Sequence, residues 1–159
     1  MIARRASGIF AATFLFVTPA TAATYDYAVS ARCVTPSKAI PVTILTSFTL
    51  PLYAENGVIN DYVVVSQRDG VTHYTATPLF SGLFIDAAAV VRGSTITLTG
   101  TFACNELVRV VDRPDNSQTP VVAGFRHENR RIEITLGTPV VITDSDVRLE
   151  LKIVPGPQR

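Results

Sequence analysis

The chain has 159 residues, a formal net charge of +1 at neutral pH and a charged fraction of 17%. This near-neutral balance does not indicate a nucleic acid or another polyanion as partner, and we expect none. A hydrophobic fraction of 47% is enough to bury a core, and the length fits a single domain.

The first residues have the pattern of a secretory signal peptide. Arg4 and Arg5 precede a ten-residue apolar run, and Ala20-Thr21-Ala22 provides the small residues of a cleavage site. The apolar run is about half as long as a membrane span requires, so we expect cleavage rather than anchoring. The chain then divides into a signal peptide over residues 1–22, a single domain over residues 23–155 and a loose tail over residues 156–159. We expect no transmembrane span after signal removal, and a periplasmic or secreted location.

Alternating and β-branched side chains predict four strands in the first half of the domain. These strands cover residues 25–33, 41–50, 61–67 and 71–77. Pro41 and Pro51 bracket the second strand, which favours a position at a sheet edge. Asp69-Gly70 predicts a tight hairpin between the third and fourth strands, and Glu55-Asn56-Gly57 predicts an earlier turn.

The centre of the domain contains one ambiguous segment and one clear strand. Over residues 78–91 the apolar positions recur at three and four, which is typical of a short amphipathic helix. Two short strands fit the same segment, and we favour the strands. Residues 94–104 alternate without interruption, with apolar side chains on one face and four threonines on the other, and we expect a central, half-buried strand.

The last third of the chain continues the β pattern. Residues 107–111 are expected to be extended, and residues 112–120 (DRPDNSQTP) form a polar, proline-bounded loop that is long enough to project. We predict a hairpin from residues 121–126 to residues 131–137 across a tip at 127–130. The final strand, over residues 146–153, alternates apolar with charged side chains.

The only two cysteines, Cys33 and Cys104, both end predicted strands on the apolar face. In an exported protein this arrangement predicts one disulfide, which closes a loop of 72 residues. The alternative is a pair of buried free thiols.

Taken together, the strands number about eight to ten, with frequent turn signals and at most one helix. This pattern predicts an all-β fold, namely an antiparallel β-sandwich. An Ig-like sandwich and a small barrel are the alternatives within that class.

We find no pattern that indicates catalysis, and we expect neither a metal nor a cofactor. His73 and His127 are the only histidines, and neither stands in a metal-ligand spacing. No Gly-x-Ser-x-Gly sequence is present to position a serine nucleophile. An enzyme with a dispersed site remains an alternative, and it would use one of the two histidines as its base.

One polar surface is a candidate for binding a partner. Its residues fall at the predicted 127–130 tip and in the neighbouring loop: Asn116, Ser117, Gln118, Arg126, His127 and Arg130. Arginine is enriched at protein interfaces, so this surface suits an acidic partner. The alternative is a solvated turn in which Arg131 pairs with Glu133.

By elimination, we predict an exported, non-enzymatic β-domain that acts by binding another envelope or surface protein. Its role would be that of an accessory or structural factor in bacterial cell-envelope or surface-structure assembly. The alternative is a small periplasmic inhibitor that inserts the 112–120 loop into the active site of a hydrolase. These hypotheses rest on fold class and compartment rather than on a recognised site.

Overall fold

The computed structural model of the protein describes residues 26–156, which form eight β-strands and no helix. The predicted signal peptide and residues 157–159 lie outside the described residues. Residues 26–156 contain no helix that is long and apolar enough to cross a membrane.

Four strands are short and four are unusually long. The short strands, of five to nine residues, are β1 (Tyr27–Val34), β2 (Ala39–Thr46), β7 (Val140–Asp144) and β8 (Val147–Pro155). The long strands, of 17 to 22 residues, are β3 (Leu52–Arg68), β4 (Val71–Arg92), β5 (Thr95–Asp112) and β6 (Gln118–Thr135).

The strands form two antiparallel four-stranded sheets, so the predicted all-β sandwich is confirmed. The short sheet has the order β2-β1-β8-β7, and the long sheet has the order β3-β4-β5-β6. The first and last strands pair directly, from Tyr27 opposite Pro155 to Val34 opposite Arg148. β2 lies at a sheet edge, as predicted, but the predicted bounds of 41–50 are wrong, because β2 covers Ala39–Thr46 and Pro41 lies within it.

The alternation in the sequence builds the core between the two sheets. On β8 the apolar side chains of Val147, Leu149, Leu151 and Ile153 are at most 1% exposed. On β5, Ile96, Leu98, Phe102 and Cys104 are fully buried, and the threonines between them face outward. Burial of apolar area on this scale is the main stabilising contribution to such a domain.

The long sheet continues past this core as two hairpins. Arm 1, residues 58–81, is the outer part of β3 and β4 and is joined by the predicted Asp69-Gly70 turn. Arm 2, residues 105–124, is the outer part of β5 and β6. The β4–β5 ladder ends where Leu83 pairs with Cys104, so the two arms are not joined by a strand ladder. Of the 21 buried hydrophobic side chains in residues 26–156, none belongs to either arm.

Two predicted features of the first half are changed by the long strands. The predicted turn at Glu55-Asn56-Gly57 is wrong, because β3 runs straight through it. Gly57 instead lies opposite Gly82 in the neighbouring strand, where the two backbones approach closely. Residues 78–91 form neither a helix nor two strands, since they all lie within β4.

The predicted hairpin with its tip at residues 127–130 is also wrong. β6 runs through these residues as one strand. The pairing register between β5 and β6 shifts here, from Gly100 opposite Arg130 to Phe102 opposite His127. Asn129 takes up the bend in the left-handed region, with φ of 53°. The loop predicted over residues 112–120 is reduced to residues 113–117, because the flanking residues extend β5 and β6.

The predicted disulfide is present between Cys33 and Cys104, and it links β1 in the short sheet to β5 in the long sheet. Both residues are fully buried, and their Cα atoms are 5.4 Å apart. No free cysteine occurs in residues 26–156.

We predict that Cys33→Ala/Cys104→Ala lowers the free energy of unfolding by about 4 kcal/mol, because the bridge restricts a long loop in the unfolded chain. Urea unfolding of the variant and of the oxidised wild type gives the difference. Dithiothreitol-reduced wild type is the matched control and should fall between the two or match the variant. An unchanged unfolding midpoint in both would contradict a structural role for the bridge.

Candidate protein-binding surface

The arms begin at the place where the two sheets are tied together. Cys104 is bonded to Cys33 and is also the last residue of β5 that pairs with β4. The covalent link therefore lies at the root of the arms, where the strand ladder between them ends. A fixed root holds the arms in a defined direction relative to the core.

Glycine permits the close backbone contacts at this root. A Cβ atom at Gly82 would collide with the carbonyl oxygen of Asn56 and with Cα of Gly57. Gly124 on β6 has φ of 137°, and a Cβ there would collide with the carbonyl oxygen of Cys104. Larger residues at these positions would separate strands at the root.

Side chains replace the missing ladder between β4 and β5 just beyond the disulfide. Asn105 Oδ1 accepts a hydrogen bond from the Gly82 main-chain N–H at 3.1 Å. Ser81 Oγ accepts one from the Leu107 main-chain N–H at 3.0 Å. These bonds satisfy backbone donors that a continuous ladder would otherwise use.

Glu106 ties arm 2 to the short sheet. Its side chain lies at the root, and the residue is only 9% exposed. Its carboxylate accepts hydrogen bonds from the Ser37 hydroxyl and from the Ser37 main-chain N–H, in the turn between β1 and β2. Hydrogen bonds from Ser37 and Thr35 hold the pKa of Glu106 below its usual value, because they favour the charged form.

A second contact joins the arms farther out. Gln118 Oε1, where β6 begins in arm 2, accepts a hydrogen bond from the Val63 main-chain N–H at 2.9 Å. The Gln118 amide group in turn donates to Asp112 Oδ1 at 3.0 Å. Arm 2 thus reaches only the middle of arm 1. Residues 64–75 extend beyond this contact as a two-stranded ribbon, which we call the distal ribbon.

Most of the exposed large hydrophobic side chains lie in the arms. In the described part of the chain, fourteen large hydrophobic side chains are exposed, and eight of them are in the arms. These eight are Val58, Ile59, Val64, Val71, Tyr74, Val108, Val111 and Val122. Exposed apolar side chains collected on one part of a surface mark interaction sites more often than scattered ones do.

The structure separates the predicted binding residues into two groups. Asn116 and Ser117 lie at the tip of arm 2, where Asn116 adopts a left-handed conformation with φ of 61°. Ser117 donates from its N–H and its hydroxyl to Asp115 Oδ1, at 3.0 and 2.6 Å. These bonds lower the pKa of Asp115 and make the tip a compact turn.

The second group lies along β6 on the sandwich, not at a hairpin tip. Arg126 is over the ring of Phe84, 5.3 Å from its centroid, and its Nε donates to Glu128 at 3.1 Å. His127 is half-buried, with its ring centroid 4.8 Å from that of Phe125. Arg130 is exposed opposite Gly100.

The two groups therefore do not form one patch. Eight residues of extended chain from Gln118 to Arg126 span about 27 Å. The predicted pairing of Arg131 with Glu133 is present, at 2.6 Å. Of the predicted binding residues, only those at the tip of arm 2 belong to the projecting surface, and Gln118 serves to join the arms.

Alternation along single strands does not reveal the apolar arms. A signal was present in Val63-Val64-Val65, where three β-branched residues in succession place an apolar side chain on both faces of the strand. Such a run is expected either inside a two-sided core or on a ribbon that a partner covers.

The rest of the described chain offers no metal site, since residues 26–156 contain no group of three His, Cys, Asp or Glu side chains placed to hold a metal ion. Comparison of the chain with protein-family models, with curated proteins and with solved structures gave no match.

We predict that Glu106→Gln lowers the free energy of unfolding by about 1 to 2 kcal/mol at pH 7, because a charged acceptor of two hydrogen bonds is lost. The folded-state pKa of Glu106 is lowered, so its contribution is complete above the usual value of 4.5 and is lost as the pH falls through the folded-state pKa. The difference between wild type and variant should therefore shrink below pH 4.5.

Glu128→Gln is the control for this measurement, because Glu128 is an exposed carboxylate that pairs with the exposed Arg126. We expect it to change stability by less than about 1 kcal/mol. Urea unfolding at several pH values gives both comparisons. A Glu106→Gln effect that does not depend on pH would show that the carboxylate charge is not involved.

Proposed function

We propose that this protein is an exported, non-enzymatic binding domain whose two β-arms engage another protein of the cell envelope or cell surface. Its role would be accessory or structural, in the assembly of the envelope or of a surface structure. The observation that carries the proposal is the apolar surface of the arms, which project from a sandwich that is already closed around its own core.

The energetics of the arms support a partner. A two-stranded hairpin is marginally stable in water unless a third strand or a packed face supports it. The distal ribbon has no buried side chain, and it carries Val64, Val71 and Tyr74 in exposed positions. Covering these side chains would contribute about 25 cal/mol for each Å² of apolar surface removed from water.

The disulfide supports the exported location. Bridges of this kind persist in oxidising compartments such as the periplasm and the cell exterior. The predicted signal peptide is consistent with the same route.

A specific observation keeps a second candidate, the periplasmic hydrolase inhibitor. The turn over residues 113–117 projects at the tip of arm 2 and is fixed internally, with the Arg113 N–H donating to the Ser117 carbonyl at 2.8 Å. A rigid projecting turn binds with a small loss of conformational entropy, as an inserting loop requires. Loss of hydrolase inhibition on Asn116→Gly/Ser117→Gly would favour this candidate.

The arm proposal predicts that an arm variant loses its partner. The full chain, with its signal peptide and a tag after Arg159, is expressed in its native cell and cross-linked, and the recovered proteins are identified by mass spectrometry. Val64→Ser/Tyr74→Ser/Val108→Ser should weaken binding to the identified envelope protein by about tenfold or more, because three exposed apolar contacts are removed.

The matched control is Leu45→Ser/Val90→Ser/Val141→Ser, which changes three similarly exposed residues on the sandwich (45%, 52% and 51% exposed). This control should bind as the wild type does. Equal binding by the arm variant and the wild type would contradict the proposal. If a hydrolase is recovered instead, and if its inhibition depends on the 113–117 turn, the protein is the hydrolase inhibitor.

A further inference from the structure

The free edge of β4 in the distal ribbon is an unoccupied pairing site. Two main-chain N–H groups show which residues of β3 and β4 point away from the ladder between them. The Val63 N–H on β3 donates to Gln118, and the Gly82 N–H on β4 donates to Asn105. Val63 lies opposite Ala76, and the β3–β4 register has no shift. Because main-chain groups alternate in direction along an antiparallel strand, Thr72, Tyr74 and Ala76 also direct their N–H and C=O groups away from β3.

Nothing in residues 26–156 pairs with that edge. The β4–β5 ladder ends at Leu83, and every residue from Val71 to Ala76 is exposed. The edge also lacks the usual protection, since this stretch contains no lysine, no proline and no bulge. An unprotected edge of this kind pairs readily with another strand.

We propose that this edge pairs with the same edge of a second copy of the chain, in antiparallel register about a two-fold axis through Tyr74. This inference goes beyond the proposed function, because it assigns the main-chain edge of the distal ribbon to a second copy, whereas the proposed envelope protein contacts the exposed side chains of the arms. Each outward-directed residue then gains a partner: Thr72 pairs with Ala76 of the second copy, and Tyr74 pairs with its own counterpart.

The boundaries of the free stretch fit this register. Gly70 in the turn and Pro78 lie equally far from Tyr74, so the pairing ends at the turn on one side and at a residue without an N–H group on the other. Pro78 lies an even number of residues from Tyr74, so its main-chain nitrogen also points away from β3. A proline at this position therefore removes no hydrogen bond to β3.

The charge distribution favours a second copy. The stretch from Val71 to Thr77 contains no Asp, Glu, Lys or Arg, and His73 faces Thr75 of the other copy in this register. No like charges therefore oppose each other across the axis. The two ribbons would join into a four-stranded sheet, which removes the weakness of an isolated hairpin.

The register makes a specific test possible. In Thr72→Lys/Ala76→Lys, each introduced lysine faces another across the axis, and the dissociation constant of the dimer should rise by about tenfold or more. In Thr72→Lys/Ala76→Glu, each introduced lysine faces an introduced glutamate, and dimerisation should return to within about threefold of wild type. Sedimentation velocity of the mature chain over a concentration series at 0.15 M salt gives the constants.

Ser66→Lys/Gln67→Lys is the control, because it adds the same charge to exposed polar positions on β3 of the same ribbon. It should dimerise like the wild type, and circular dichroism should show that all variants are folded. A wild-type chain that stays monomeric at about 100 μM, a dimer insensitive to the paired lysines, or no rescue by glutamate would each overturn the second-copy proposal. None of these outcomes touches the cross-linked capture of an envelope protein, which decides the proposed function separately.

Discussion

The disulfide between Cys33 and Cys104 marks the point on which the geometry of the molecule depends. It joins the two sheets at a Cα separation of 5.4 Å, roughly half the usual distance between packed sheets. The long sheet loses its β4–β5 ladder at the same place. Close to the bridge, Asn105 and Ser81 supply hydrogen bonds that the ladder no longer provides, and Glu106 joins arm 2 to the turn between β1 and β2. The closed sandwich and the projecting arms thus meet at one covalently fixed root.

The two parts of the molecule differ in what stabilises them. The sandwich has a continuous apolar core drawn from both sheets. The arms contribute no buried hydrophobic side chain and are held by the root and by the bond between Val63 and Gln118. A partner on the arms would therefore supply the apolar burial and strand pairing that they lack. Local stability is expected to be lowest in the distal ribbon, as is usual for segments that bind.

Fold class, the edge position of β2, the disulfide and the Asp69-Gly70 hairpin could be predicted from the sequence, because alternation and turn chemistry are local signals. Alternation fails where both faces of a strand carry apolar side chains. In β4, Phe80 and Phe84 contact each other on the outer face, and Leu83 and Ile85 are buried on the inner face, which imitates a helical period. A glycine in the sequence predicts a turn, but it can instead permit two strands to approach closely, as Gly57 does. The point at which the arms leave the core could not be predicted, because it is set by contacts between the sheets.

The most direct test of this account is native-state amide hydrogen exchange along the chain, first in dilute solution and then at a chain concentration that saturates pairing with a second copy. In dilute solution the amides of the sandwich, such as those of Leu98 and Leu151, should exchange only through global unfolding, and the amides of Thr72, Tyr74 and Ala76 should exchange rapidly. Binding should slow exchange at these three residues and leave the sandwich unchanged. Slow exchange at the same three amides in the dilute chain alone would contradict the account, because it would show that the arm edge is already paired.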